Sequence, residues 1–451
     1  MRRTLLLVVL AAATLAAAAV AALLRPPAVT RPPSRPVAAG ALRLSTQLDR
    51  RFLPEQGGGE AYLQIDLVAG GERGDERRVP VNAVIIIDRS GSMSGAKIER
   101  ARDAARALVD ALGEQDRLAI VEFSSSAAVA LHSTPMTASA RERALSAIAA
   151  LYAGGGTNMS AAFDAAAPEL QRGRSPERVD KVFLASDGEA NEGIHDRRGL
   201  LQVAQRDFGP ATVSTFGIGE DYDEDLMSAL AAQAGGRARY IDSPEILPRA
   251  FQGELSRAKS AVARDVRVRV SGLAGVSVER VLGYPSDGGW VRVPDFAAGE
   301  ERRVLVKLSV PSGRGITDLA AVELQFEDAA GAQERARSVA QATFTSDRGE
   351  LAQAPTAAAV EGAKAEMAEL AEKAARLQEE GRRAEAKAQV DQLKHIAVQA
   401  AAATPAEATA LARAANEYDG EVSAISGRGS AASKKLKERT FDAVRAPVAG
   451  W

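Results

Sequence analysis

Apolar residues recur along the chain with a few distinct spacings, and the spacing changes at sharp points. Leu5 to Leu24 is an uninterrupted apolar run. At about 1.5 Å rise per residue, a helix of that length spans about 30 Å, the thickness of a bilayer core. Residues 25–40, "RPPAVTRPPSRPVAAG", form a Pro-rich spacer expected to stay extended without a packed element. Residues 41–80 contain "AYLQIDLV" (Ala61–Val68), which alternates as a strand between glycine-rich turns. Residues 81–258 then alternate apolar strand runs with helical periods, the mark of a doubly wound parallel α/β sheet. The strands read as Ala83–Ile87, Leu118–Phe123, Lys181–Ala185, Thr212–Ile218 and Arg239–Ile241. The helices fall near Ile98–Leu112, Ala140–Leu151, Met159–Leu170, Leu200–Arg206, Asp223–Ala234 and Ile246–Ser256.

Residues 259–347 carry strand-only alternation, as in "VRVRVSGL" and "RRVLVKLSVP", punctuated by Gly and Pro. This predicts an antiparallel β-sandwich with one wet face. Its strands are too few unless residues 41–80 supply the rest, which makes the α/β unit an insertion in a discontinuous β domain. Residues 355–440 place Val360, Ala363, Met367, Leu370, Ala374 and Leu377 at spacings of three and four, with a break at Gly381. The prediction is a hairpin of two helices closed on an Ala-rich, coiled-coil-like seam. The basic tail "SKKLKERTFDAVR" reads as a solvated terminal helix.

Composition narrows the function. The 451 residues carry a net charge of −2 and only 4% aromatics, so neither a basic field nor stacking surfaces point to nucleic acid. Cysteine is absent, which removes disulfides, thiol catalysis and zinc-thiolate sites. Arg2 and Arg3 ahead of the apolar run place the amino terminus in the cytoplasm and the body outside it. Residues 1–24 are thus expected to be a cleaved signal peptide or a single-pass membrane anchor. The body would be extracytoplasmic: anchored to the inner membrane, periplasmic or secreted.

Candidate chemistry lies in three loops. "DRSGS" offers Asp88, Ser90 and Ser92 directly after a strand; "GGGTNMS" offers Thr157; "SDGEAN" offers Asp187 after another strand. In parallel sheets ligands bind beyond the carboxyl ends of the strands, so these loops should face one crevice. Hydroxyls and carboxylates suit a hard divalent cation, Mg2+ or Mn2+, with Ca2+ a poorer match. Ser90, Ser92 and Thr157 would point inward, and Asp88 and Asp187 would act partly through water. So few anionic ligands leave the ion electron-poor and able to take an acidic side chain from a partner.

Other readings of these residues are weaker. A haloacid-dehalogenase-type phosphatase needs an acid two positions after its Asp, where this chain has Ser90. A serine-hydrolase elbow would need Ser where Met93 stands in "GSMSG". Simple capping would use Ser90 and Ser92 for the next helix and Asp187 for a turn.

The D-x-S-x-S strand end, followed in order by the Thr and Asp loops, resembles the von Willebrand factor type A family over roughly Val81 to Ala258. The resemblance implies a Rossmann-like domain. It also implies that Asp88, Ser90, Ser92, Thr157 and Asp187 form a metal-ion-dependent adhesion site of non-catalytic, protein-binding function. The wider arrangement resembles exported bacterial proteins labelled calcium-activated chloride channel-like. Two further functions compete: a structural or assembly subunit of a cell-envelope complex working through its carboxyl-terminal helices, and a metal-dependent phosphatase-like enzyme.

Overall fold

The computed structural model describes residues 36–71, 79–219, 222–287, 289–427 and 430–445. The apolar run 5–24 and most of the Pro-rich spacer lie outside them. Among the described residues no helix is long and apolar enough to cross a membrane.

Every residue of the strand Val81–Asp88 is buried. Its alternate residues serve two cores. Val81, Ala83, Ile85 and Ile87 pack with Leu108 of the helix Ala96–Ala111 and Phe251 of the helix Leu247–Lys259. Val84 and Ile86 pack on the opposite face with Phe163 of the helix Met159–Gly173 and Phe208 of the helix Arg197–Phe208. Burial on both faces is why the segment reads as one continuous apolar run.

The strand lies inside a six-stranded sheet. From one edge the strands are Ala238–Ile241, Thr212–Ile218, Val179–Ser186, Val81–Asp88, Arg117–Phe123 and Ala127–Pro135. The first five are parallel. The last is antiparallel to Arg117–Phe123, and sequence reading missed it. Its burial is mixed, as befits an edge, so neither a clean alternation nor a continuous run announces it.

The remaining strands build two antiparallel-dominated sheets packed on a shared core. The strand Gly59–Ala69 pairs with Glu301–Val310 from Gly59 opposite Val310 to Val68 opposite Glu301. Strands from before and after the α/β unit therefore share one sheet. Where the chain enters and leaves that unit, Val79 N donates to Lys259 O at 2.8 Å. The end of the Pro-rich spacer departs from expectation: Val37–Ala39 turns at Gly40 and pairs with Leu42–Leu44.

The helical region also departs from the predicted hairpin. Ala357–Glu379 and Arg383–Ala403 form it, with the break at Gly381, but Ala408–Ser423 and Ala431–Arg445 follow. Met367, Ala371, Leu393, Leu411, Tyr418 and Leu436 from all four close one core. The Ala-rich seam is internal, and the helix Ala357–Glu379 also bonds to the sandwich. Lys307 Nζ donates to Glu366 at 3.1 Å, and Arg303 Nη1 to Glu361 at 3.0 Å.

The basic tail is not a solvated helix. Ser433, Lys434, Leu436, Lys437, Thr440 and Phe441 are buried. Lys434 Nζ donates to Tyr222 O at 2.8 Å and sits 3.7 Å from the Tyr222 ring centre. Lys437 Nζ lies 2.9 Å from Glu224, 3.1 Å from Asp225 and 3.0 Å from Glu379. These lysines read as solvent-facing because their partners are distant in sequence.

Candidate functional site

The candidate residues sit at the carboxyl ends of the two central strands. Asp88 ends Val81–Asp88, and Asp187 directly follows Val179–Ser186. The two strands pair in parallel from Val81 opposite Val179 to Ile87 opposite Ala185, which sets their ends side by side.

Backbone bonds knit the loops. Gly154 N donates to Arg89 O at 2.7 Å, Gly91 N to Gly155 O at 3.0 Å, and Asn158 N to Ser124 O at 2.7 Å. Gly155 holds φ +90, a conformation open to glycine at no steric cost.

Asp88 is fully buried. Its Oδ1 accepts from Ser90 N at 2.8 Å and its Oδ2 from Ser186 Oγ at 2.5 Å. Burial pushes its carboxyl up to about 6, against these hydrogen bonds, which favour the ionised form. Ser92 is the exposed member of the set. Its Oγ lies 3.0 Å from Ser90 Oγ and donates to Asp187 Oδ1 at 2.8 Å. The other oxygen of Asp187 accepts from Lys97 Nζ at 2.5 Å. Thr157 is buried, and its backbone is fixed by Asn191: Thr157 N donates to Asn191 Oδ1 at 2.9 Å, and Asn191 N returns to Thr157 O at 3.0 Å. A methyl group placed on Gly188 would lie 3.6 Å from both Ser92 Oγ and Thr157 Oγ1, so the two hydroxyls flank this glycine.

Capping does not account for the set. The helix Ala96–Ala111 has Gly95 at its N-cap with no side-chain bond, and the short 3-10 turn Gly91–Met93 receives none from Ser90. The helix after Thr157 is capped by Asn158, and the helix after the Asp187 loop by Asp196.

The donor chemistry fits a small hard cation. Neighbouring oxygens on an octahedral Mg2+ with ligands at about 2.1 Å lie about 3.0 Å apart. The Ser90–Ser92 and Ser92–Asp187 oxygen pairs, at 3.0 and 2.8 Å, have that spacing. Among the described residues no three His, Cys, Asp or Glu gather as a metal cluster, so the hydroxyls are what distinguish this site.

Sequence reading gave Ser186, the first residue of "SDGEAN", no role toward Asp88, and it missed Lys97. Ser186 bonds the buried Asp88 across the strand pair, and its place one residue before Asp187 could have suggested this. Lys97 looks like any surface lysine near the start of a helix.

The acidic stretch "GIGEDYDEDL", whose Glu220 and Asp221 are not among the described residues, leads into a helix. Asp223 caps the helix Glu224–Gln233. Burial opposes ionisation of Glu224, but Lys437 and Lys434 outweigh it and hold its carboxyl at about 2.

Comparison with known proteins places this unit. Residues 81–240 match the von Willebrand factor type A domain family. An uncharacterised protein of Synechocystis is 28% identical over 291 residues, covering 61% of this chain and 68% of its own length. The uncharacterised Escherichia coli protein YfbK is 29% identical over 269 residues, covering 57% of this chain and 46% of its own. The chain thus spans about two thirds of the first relative and under half of the second. A von Willebrand factor type A protein from Catenulispora acidiphila superposes with a TM-score of 0.69 at 19% identity, over 90% of this chain and 97% of that one. That likeness reaches beyond the six-stranded sheet into the sandwich and helices. The α/β unit of this chain is a von Willebrand factor type A domain.

Proposed function

We propose that the chain is a non-catalytic binding protein that grips a protein partner through a divalent cation held at this rim. Ser90, Ser92 and Thr157 would supply neutral oxygens, and Asp88 and Asp187 the negative charge. The bound ion would supply Lewis acidity toward a carboxylate of the partner, an Asp or Glu. The single observation that carries this reading is the Ser90–Ser92–Asp187 chain of oxygens at 3.0 and 2.8 Å, drawn from two loops and free of any capping duty. Mg2+ and Mn2+ suit it better than Ca2+, which takes more ligands at longer distances.

The histidines supply no visible base for Ser90 or Ser92. His132 pairs with Glu169 at 2.8 Å, His195 meets Gly193 O at 3.0 Å, and His395 meets Gln399 at 2.8 Å. This supports binding over catalysis. The scaffold alternative is less well supported, since the apolar seam of the carboxyl-terminal helices is spent on internal packing.

The test is capture of partners from native membranes by the full chain with Mg2+ present. Partners recovered by wild type should be lost with EDTA and with Asp88→Ala. Undiminished capture by both refutes the metal-bridged mode. Residues 1–24 fit export as a signal peptide or anchor, and amino-terminal sequencing of the native protein distinguishes the two.

A further inference from the structure

Lys97 is the one cation that touches the rim site directly among the described residues. Its Nζ lies 2.5 Å from Asp187 Oδ2, while the other oxygen of Asp187 takes the Ser92 hydroxyl. Lys97 stands in the first turn of the helix Ala96–Ala111. A positive charge there runs against the helix dipole, so local helix stability does not explain it. Its path along the rim is built: a methyl group on Gly219, just past the strand Thr212–Ile218, would come within 3.3 Å of Lys97 Cε and 3.4 Å of Nζ. Gly219 holds φ +77 and leaves that space open.

We propose that Lys97 is a resident counter-charge that trades affinity for the divalent ion against affinity for the anionic partner. The inference rests on the metal-site reading above and goes beyond it. Asp88 and Asp187 bring two negative charges, and Lys97 returns one positive. Whatever charge a bound divalent ion leaves at the rim, removing Lys97 makes that rim more negative by one unit. The ammonium repels the incoming ion and competes with it at Asp187. Once the ion is seated, the same ammonium adds one positive charge to the field that meets an incoming carboxylate. Lys97 thus weakens the first binding event and strengthens the second. A residue that merely braced the loop would move both in the same direction.

The test uses the full chain as wild type, Lys97→Met and Lys97→Arg. Mn2+ alone is titrated calorimetrically, and glutarate is then added to the Mn2+-loaded proteins while water proton relaxation reports displacement of bound water. Lys97→Met should bind Mn2+ on the order of tenfold more tightly and glutarate several-fold more weakly, the scale expected of a unit charge a few ångströms away in a wet site. Lys97→Arg should behave as wild type. Should Lys97→Met fail to fold, Lys97→Gln carries the same expectation. Normal Mn2+ binding by wild type with equal or weaker binding by Lys97→Met overturns this inference alone. No specific Mn2+ uptake by wild type overturns the metal-site reading and this inference together.

Discussion

Two clusters of carboxylates occupy the same rim of the central sheet, and the chain treats them in opposite ways. Beyond the strand Thr212–Ile218, Glu224 and Asp225 are met by Lys434 and Lys437, which the last helix carries in from the far end of the sequence. The Lys434 and Lys437 side chains are 0% and 4% exposed, so both amines are sealed from water although Asp225 stays 29% exposed. Beyond Val81–Asp88 and Val179–Ser186, Asp88 and Asp187 are met by serine hydroxyls and a single lysine, with Ser92 open to solvent. The first cluster is gripped by two buried ammonium groups and ties the last helix to the rim. The second is left short of positive charge, and that shortfall is what an external cation can satisfy.

The largest expected effect falls on the first cluster. Lys434→Ala removes one member of a buried pair and should cost about 3–5 kcal/mol in urea unfolding, with Lys97→Met costing far less. Equal losses would erase the contrast. Next, Mg2+ at a hundredfold excess over its dissociation constant should stabilise the wild type by about 2.7 kcal/mol and leave a Ser90→Ala, Ser92→Ala double variant unmoved. Third, Asp88→Asn should weaken Mn2+ binding by about 10–100-fold in calorimetry, the usual cost of losing a group that orients a metal site.

The smallest effects come from pH, and the two clusters should answer with opposite signs. Asp88 folds with its carboxyl at about 6, above its ordinary 3.8, so the metal-free native state binds the extra proton. Its contribution to stability is present at acid pH and fades as pH rises through about 6. Protons and the ion compete there, so Mn2+ affinity should fall by about tenfold between pH 7 and pH 5. Glu224 sits at about 2, below its ordinary 4.5. Its contribution is full above 4.5 and is lost as pH drops toward 2. Unfolding curves of the metal-free protein across both windows check the two signs.

Much of this architecture was legible in the residues. The central strands are buried on both faces, so Ala83–Ile87 and Val182–Ala185 are written as unbroken apolar runs. The placement of Asp88 and Asp187 at neighbouring strand ends was legible from the apolar runs they follow, whereas only the structure shows that Ser90 and Ser92 cap no helix. What escaped reading depends on long-range partners or weak periodicity. Lys97, Lys434 and Lys437 carry no local sign that their amines are engaged. The edge strand Ala127–Pro135 packs only partly, and its alternation is blurred. The helix Ala408–Ser423 buries Leu411, Ala415, Tyr418 and Val422, but small residues around them dilute the period.

The bond from Val79 N to Lys259 O has a mechanical consequence. The chain enters and leaves the type A unit side by side rather than in series, and the last helix grips the same unit again through Lys434 and Lys437. A pull on the amino-terminal side is borne first by Gly59–Ala69 and its neighbour Glu301–Val310. Because Lys434 and Lys437 reach Tyr222, Glu224 and Asp225, the rim that carries Asp88 and Asp187 is pulled directly whenever the last helix is pulled.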